Sequence, residues 1–211
     1  MSVYLFDFDG TLVDSMPTFI EAFLRLMRRF SLPIPQDLVK TITPLGYKGA
    51  AAHLRTLGIS LSTEELLSDV NDFATSAYHE RIVLKPHVKE TLEALRARGD
   101  RLHVLTASPH SVLDACLERN GVLSLFESVW SCEDFGTTKA DPHIYRMAAE
   151  RIGVPVSDVI FLDDNLDADQ TAKSAGMRVY GVFDESSREF AEDIRAVTDR
   201  YITDFSELLE D

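Results

Sequence analysis

The sequence predicts an α/β fold, a doubly wound parallel sheet that carries an inserted helical domain. From Pro86 onwards, short apolar runs alternate with segments of helical spacing, which is the pattern of a parallel sheet with helices on its faces. Between residues 15 and 85 the alternation stops and only helical patterns occur. A chain of 211 residues is long enough for such a core domain with a smaller insert.

The predicted strands are short runs rich in valine, isoleucine and phenylalanine. They are VYLF (3–6), LHVLT (102–106), SVWS (128–131), VIFLD (159–163), RVYGVF (178–183) and RYI (200–202). Apolar runs of this length are typical of buried strands in a parallel sheet. Helical spacing predicts helices over residues 88–98, 111–120, 143–152 and 166–175, and a short surface helix in the C-terminal FSELLED.

The segment 15–85 is expected to be an inserted helical domain, with residues 1–14 and 86–211 forming the α/β core. It contains FIEAFLRLMRRF, AAAHLRTLG and TEELLSDVNDFATSAYHERI, all with helical spacing. Because it follows the first strand directly, it would leave the core at the sheet edge where α/β folds bind ligands. We therefore expect a mobile lid, with hinges near residues 15–17 and 84–86.

Charge and cysteine content exclude several classes of function. The net charge of −14 works against binding nucleic acid, which needs lysine and arginine to neutralise phosphates. The two cysteines, Cys116 and Cys132, form no disulfide framework or zinc motif, so a reducing cytoplasm is expected. No leader and no membrane span is predicted, and a monomer or a weak dimer is expected.

The segment LFDFDGTLVDS (5–15) places two carboxylates at the end of the first strand. Because side chains alternate along a strand, Asp7 and Asp9 point the same way. Such a pair repels itself unless it shares a cation or one member is protonated, and both arrangements suit catalysis. A solvated acidic pair at a strand end is the simpler alternative.

The segment FLDDN (161–165) places a second acidic pair after another strand. Since the carboxyl ends of parallel strands share one edge, we expect Asp163 and Asp164 to face the first pair. Carboxylate clusters select hard cations, and this set predicts Mg²⁺. Asp164 and Asn165 also suit the start of a helix, which is compatible with metal binding.

Two weaker signals follow other strands. In VLTAS (104–108), Thr106 ends a strand and Ala107 and Ser108 follow in a turn, where a hydroxyl and main-chain N–H groups can hold phosphate. Lys139 lies in a loop before a helix and could stabilise the charge of a transferring phosphoryl group. Taken alone, each pattern is more often structural or solvated.

In their order and spacing, these four segments resemble the four motifs of the haloacid dehalogenase superfamily. DFDGT, the threonine of VLTAS, the lysine of KADPHIY and FLDDN correspond to motifs one to four. The insert after motif one is similar to the helical cap of the subfamily that includes phosphoglycolate phosphatases and sugar-phosphate mutases. The resemblance covers essentially the whole chain.

The resemblance implies a magnesium-dependent phosphatase that acts on a small phosphorylated metabolite. Asp7 would be the nucleophile that forms an aspartyl-phosphate, and Asp9 the acid and base. The implied Mg²⁺ ligands are the Asp7 carboxylate, the Asp9 carbonyl and Asp164, with Asp163 direct or through water. The implied phosphoryl-binding residues are Thr106, Ala107, Ser108 and Lys139.

Several alternatives stay open. Motif four carries Ala168 where many relatives have an acidic or amide residue. This puts in doubt any role of that position in the outer coordination shell of the metal. Asp9 argues against dehalogenation, because dehalogenating relatives lack this carboxylate. A sugar-phosphate mutase shares the same core, and a non-catalytic phosphate-binding module is the alternative of another class.

Within the cap segment 43–54, Tyr47 and Lys48 are the expected specificity contacts, with an ordinary helix-connecting turn as the alternative.

Overall fold

The computed structural model describes residues 1–42 and 46–210 of the chain. It divides into two compact units, one formed by Met1–Asp14 with Val83–Asp211 and the other by Ser15–Ile82. The first unit contains the sheet and every segment in which the sequence predicts a core motif. The second unit is helical.

The first unit is built on a parallel sheet of six strands within the described residues. The strands are β1 (Val3–Phe6), β2 (Arg101–Thr106), β3 (Ser128–Ser131), β4 (Val159–Asp163), β5 (Arg178–Val182) and β6 (Arg200–Ile202). They lie in the order β3-β2-β1-β4-β5-β6, so β1 is in the middle with β2 and β4 on either side. The predicted α/β fold class is confirmed, and the strand positions agree within one residue at each end.

Helices cover the sheet because each presents an apolar stripe to it. In the first unit they are α5 (Val88–Ala97), α6 (His110–Arg119), α7 (Pro142–Ile152), α8 (Leu166–Ala175) and α9 (Ala191–Val197), numbered after those of the second unit. Helices α7 and α8 share one core cluster with Leu5 and Phe161 of the sheet. On the other face, Phe6 contacts Phe126 and Phe205.

Two features of the first unit differ from the sequence-based expectations. Helix α9 was not predicted. The C-terminal segment forms a 3₁₀ turn, Phe205–Leu209, in place of a surface helix. Phe205 and Leu208 of this turn are buried. The ring of Phe205 stacks on that of Phe6 with centroids 6.1 Å apart. The segment therefore closes the core.

The second unit contains α1 (Met16–Arg29), α2 (Leu38–Ile42), α3 (Gly46–Thr56) and α4 (Thr63–Glu80). Helix α4 begins with a capping box, in which Ser62 accepts a hydrogen bond from the Glu65 N–H and the Glu65 carboxylate accepts from the Ser62 N–H. The unit has its own apolar cluster, centred on Phe23, Met27 and Leu54. No helix in the described ranges combines the length and the hydropathy needed to cross a bilayer.

Residues 83–85, which the sequence places in the inserted segment, group with the first unit in the structure. The Asp14 N–H donates to the Val83 carbonyl at 3.0 Å, and the Lys85 N–H donates to the Leu12 carbonyl at 3.0 Å. Val13 and Leu84 form an antiparallel bridge between them. The outgoing and returning chains are thus paired side by side, which short-range sequence patterns do not reveal.

Candidate active site

The candidate site lies at the carboxyl ends of β1 and β4, the two central strands. Asp7 directly follows β1, and its N–H still donates to the Leu162 carbonyl of β4 at 2.8 Å. Asp163 ends β4 and Asp164 follows it. One oxygen from each of these three buried carboxylates lies within 4.8 Å of the others. The strand order reverses between β1 and β4, which is where α/β sheets open a ligand crevice.

A tight turn after β1 surrounds the carboxylate of Asp164. The Leu12 N–H donates to the Phe8 carbonyl at 2.9 Å, and Gly10 has a left-handed backbone with φ of 72°. The Thr11 hydroxyl donates to Asp164 Oδ1 at 3.0 Å. A methyl group on Gly10 would lie 2.5 Å from Asp164 Oδ2, so only glycine allows this approach. The turn therefore fixes the carboxylate from two sides.

Lys139 is the cation of the cluster. Its Nζ lies 2.8 Å from Asp7 Oδ1 and 2.7 Å from Asp163 Oδ2, and its side chain is largely buried. The loop that carries it is fixed on both sides: the Tyr145 hydroxyl donates to the Lys139 carbonyl at 3.2 Å, and Asp141 caps α7. In the sequence, only the family resemblance indicates that Lys139 lies beside the acidic residues.

Burial dominates the electrostatics of the cluster. It raises the pKa of Asp7 to about 7, an effect that Lys139 opposes and Asp163 reinforces. Burial also raises the pKa of Asp164 well above its usual range, with Asp163 and Asp7 adding to the rise. For Lys139, burial acts to lower the pKa, but Asp163 and Asp7 outweigh it and hold the pKa well above its usual value. These directions are those of a site with excess buried negative charge.

The residues present fit a hard divalent cation. Three buried carboxylates face one lysine, so a cation between them would balance charge that the protein leaves uncompensated. The donors are all oxygens, which magnesium prefers to nitrogen and sulfur donors. Asp9 is not in the carboxylate cluster, and its expected contribution through the main-chain carbonyl stays a prediction.

Asp9 lies opposite the end of β2. The Ser108 hydroxyl donates to Asp9 Oδ2 at 2.5 Å, while the Ser108 N–H donates to Thr106 Oγ1 at 3.1 Å. A hydroxyl that accepts a hydrogen bond can also donate one, so Thr106 can bind a further acceptor at this edge. Ala107 is exposed at the end of β2. The structure thus brings Thr106, Ala107 and Ser108 to the same sheet edge as the acidic cluster.

Residues 4–182 match the family model described as haloacid dehalogenase-like hydrolase. The chain belongs to this family. The match includes all four motif segments, so the resemblance recognised in the sequence is confirmed, and the expectation of an enzyme is confirmed at the level of this hydrolase family.

Two proteins similar to this hydrolase are named as phosphatases, and a similar solved structure is named as a putative phosphoglucomutase. A phosphorylated carbohydrates phosphatase from Thermotoga maritima is 28% identical over 184 residues, covering 86% of this chain and 85% of that protein. A phosphoglycolate phosphatase from Vibrio parahaemolyticus is 28% identical over 219 residues, covering 97% and 93%. The crystal structure of a putative beta-phosphoglucomutase from Thermotoga maritima matches with a TM-score of 0.81 and 25% identity, covering 100% of this chain and 97% of that one.

The side chains of two expected site residues of the hydrolase are outside the described structure. Tyr47 and Lys48 fall in α3, but their side chains lie outside the described part of the chain. Their expected role in specificity therefore stays a prediction.

Three polar residues of this hydrolase site are not predicted by the sequence. Asp169 is fully buried on α8, and neither of its carboxylate oxygens has a hydrogen-bond partner within the described residues. Burial raises the pKa of Asp169 to about 10, with Asp163 and Asp164 adding to the rise. Lys85 and Asp184 form a buried ion pair of 3.1 Å. The position of Asp184 just after β5 is a signal that could have identified it, whereas nothing in the local sequence marks Lys85 or Asp169.

Proposed function

We propose that this hydrolase is a magnesium-dependent phosphatase that acts on a small phosphorylated metabolite through an aspartyl-phosphate. The observation that carries the proposal is the cluster of Asp7, Asp163 and Asp164 at the centre of the sheet edge, with Lys139 paired to the first two. A nucleophilic carboxylate beside a cation site and a fixed lysine is suited to attack a phosphate ester. The phosphatase names of the relatives support the same reaction class.

In the first step, Asp7 attacks phosphorus in line with the ester bond. A bond forms between an Asp7 carboxylate oxygen and phosphorus, and the bond from phosphorus to the substrate oxygen breaks. Asp9 donates a proton to the departing oxygen, so the product leaves as an alcohol. Lys139, 2.8 Å from Asp7 Oδ1, orients the nucleophile.

In the second step, water attacks the phosphorus of the aspartyl-phosphate. Asp9 accepts the water proton, the bond between Asp7 and phosphorus breaks, and inorganic phosphate leaves. The hydrogen bond from Ser108 holds Asp9 in one orientation. The acid of the first step thereby becomes the base of the second.

The phosphoryl oxygens are bound by groups at the carboxyl end of β2 and by Lys139. The Thr106 hydroxyl and the Ala107 N–H provide donors at the edge of the sheet. Ser108, the third expected phosphoryl-binding residue, already donates its N–H to Thr106 Oγ1 and its hydroxyl to Asp9 Oδ2. Mg²⁺, held by Asp7, Asp164 and the Asp9 carbonyl with Asp163 direct or through water, would offset the repulsion between the carboxylate and the phosphate. The rest of the substrate is expected to be recognised by the inserted unit, with Tyr47 and Lys48 as the candidate contacts.

The test is release of inorganic phosphate from a panel of phosphorylated metabolites with Mg²⁺ or with a chelator. Asp7→Asn keeps the shape of the side chain and removes the nucleophile, so the rate is expected to fall by at least about a thousandfold. The matched control is Asp167→Asn, which makes the same chemical change at an exposed aspartate on α8, outside the carboxylate cluster. It is expected to keep wild-type activity.

The outcomes separate the phosphatase from its alternatives. Phosphate release that requires Mg²⁺ and Asp7 supports the proposal, and equal rates for Asp7→Asn and wild type contradict it. Conversion of a sugar phosphate into its isomer without phosphate release would identify a mutase instead, a reaction suggested by the structural match to a putative beta-phosphoglucomutase.

A further inference from the structure

Lys85 lies outside the four motifs, yet its ammonium group makes three hydrogen bonds inside the first unit. Nζ donates to the Gly10 carbonyl at 2.6 Å, to the Phe183 carbonyl at 2.6 Å and to Asp184 Oδ2 at 3.1 Å. An ammonium group has three protons, so all of its donors are used. The Lys85 side chain is 15% exposed and that of Asp184 is 6% exposed. Such a group holds its acceptors in one geometry.

The acceptors of Lys85 come from two separate loops. The Gly10 carbonyl belongs to the turn after β1, and the Phe183 carbonyl and Asp184 belong to the loop after β5. The second loop is itself fixed, because Asp184 Oδ1 accepts from the Ser186 N–H at 2.9 Å and from the Ser186 hydroxyl at 2.6 Å. Lys85 therefore ties the turn to an ordered support on the far side of β4.

The same turn determines where the Asp164 carboxylate can lie. The Cα of Gly10 approaches that carboxylate so closely that a methyl group would collide with it. The neighbouring Thr11 hydroxyl donates to Asp164 Oδ1 at 3.0 Å. Movement of the Gly10 carbonyl would therefore shift the Gly10 Cα and the Thr11 hydroxyl, the two groups that confine the Asp164 carboxylate.

We propose that Lys85 is a positioning residue of the metal site, whose ammonium group fixes the Gly10–Thr11 turn and thereby orients the Asp164 carboxylate. The inference rests on the proposed function, because it concerns affinity for the cation of that site. Residues that orient metal ligands are commonly worth a factor of ten to a hundred in affinity. The positive charge of Lys85 would by itself disfavour Mg²⁺ at a nearby site. A purely electrostatic role therefore predicts tighter Mg²⁺ binding when Lys85 is replaced by a neutral residue, whereas a positioning role predicts weaker binding.

The experiment measures the Mg²⁺ dissociation constant by calorimetry for full-length Lys85→Met, for Lys89→Met and for wild type. Methionine keeps the length of the side chain and removes the donors. Lys89, exposed on α5, is the matched control. We expect the dissociation constant to rise at least about tenfold in Lys85→Met and to stay unchanged in Lys89→Met.

A second variant, Lys85→Met with Asp184→Asn, removes the buried charge together with its partner. It avoids leaving an unpaired buried carboxylate, so it is the variant more certain to fold. The expected rise in the dissociation constant persists in it, because the hold on the Gly10 carbonyl is still lost. All titrations are made well below the melting temperature, where a purely structural role would lower stability without changing Mg²⁺ affinity.

Three results would overturn the inference. They are an unchanged or tighter Mg²⁺ affinity in Lys85→Met, an affinity that returns to the wild-type value in the double variant, and no Mg²⁺ binding by the wild type. The third contradicts the magnesium requirement of the proposed function as well, whereas the first two leave it intact. Asp164→Asn, expected to abolish binding, confirms that the titration reports this site.

Discussion

Gly10 lies where the backbone turns directly against a carboxylate. Its φ of 72° is in the left-handed region, and a methyl group there would lie 2.5 Å from Asp164 Oδ2. Two separate costs therefore exclude other residues, a backbone cost and a steric one. Gly153, which ends α7, has a similar φ of 85° but nothing within 4 Å of an added methyl group. The two glycines differ only in the second cost.

Gly10→Ala is expected to lower both stability and Mg²⁺ affinity. The left-handed backbone costs about 1 kcal/mol for alanine, and displacement of the packed Asp164 carboxylate raises the total to about 3 kcal/mol. Gly153→Ala should lose only the first amount. Urea unfolding measures the stability, and calorimetry should show Mg²⁺ affinity reduced at least about tenfold in Gly10→Ala alone. Equal behaviour of the two variants would contradict the steric argument.

For individual residues, the sequence predicts proximity in space where the residues lie directly at the ends of predicted strands. Asp7, Asp163 and Asp164 meet because parallel strands end at one edge of the sheet. Lys139 was placed by the family resemblance. Asp169 and Lys85 could not be predicted, because a buried carboxyl on a helix and a lysine in a linker look like solvated groups until tertiary packing encloses them.

Strand β2 carries a buried histidine in its interior. His103 is 1% exposed, and its ring stacks on that of Trp130 in β3 with centroids 5.8 Å apart. Burial lowers the pKa of His103 to about 4, although Glu127 opposes the shift. The folded strand therefore holds this imidazole neutral where the unfolded chain would protonate it.

The stability of the first unit should depend on pH through His103. Its folded pKa lies below its unfolded value, so stability is complete above about pH 6.5 and is lost as pH falls towards 4. His103→Phe keeps an aromatic ring against Trp130 and cannot titrate. From about pH 7.5 to about pH 5, this variant should gain about 2 kcal/mol relative to wild type.

Urea unfolding followed by Trp130 fluorescence provides the measurement, since Trp130 is the only tryptophan of the chain and lies in the first unit. His143→Phe, at an exposed position, corrects for the loss of a histidine as such. A difference in stability between the two variants that does not change with pH would show that His103 can be protonated in the folded strand.

Elements were predictable where their pattern is local. The strands are short apolar runs, most clearly in the central strands β1 and β4, which are buried on both faces. The limits of all six predicted strands agree with the structure within one residue. Helix α9 has seven residues, too few for a clear period. The C-terminal turn was assigned to the surface because its acidic residues dominate the pattern, although Phe205 and Leu208 are buried.

For the whole molecule, Mg²⁺ should act as a stabilising ligand of the first unit. At a concentration about 100 times its dissociation constant, a ligand that binds only the folded state adds about 2.7 kcal/mol. For a chain of 211 residues, this should raise the melting temperature by about 5–10 °C. Chelation should reverse the shift.

Thermal melts followed by Trp130 fluorescence test this effect at neutral pH. Asp164→Asn, which removes one of the clustered carboxylates, should show no increase with Mg²⁺. An equal increase in wild type and in this variant would mean that the ion stabilises the acidic chain by general screening and not by binding at the cluster.

The paired chains at residues 12–14 and 83–85 have a consequence for how such a protein can vary. A segment that leaves and re-enters a domain at adjacent points is, topologically, a surface loop, whatever its length. Residues 15–82 can therefore be exchanged, lengthened or shortened between descendants while the strand ends that carry Asp7 and Asp164 stay in register. Under the proposed function, in which residues 15–82 recognise the substrate, substrate preference and chemistry would lie in separate segments of the chain.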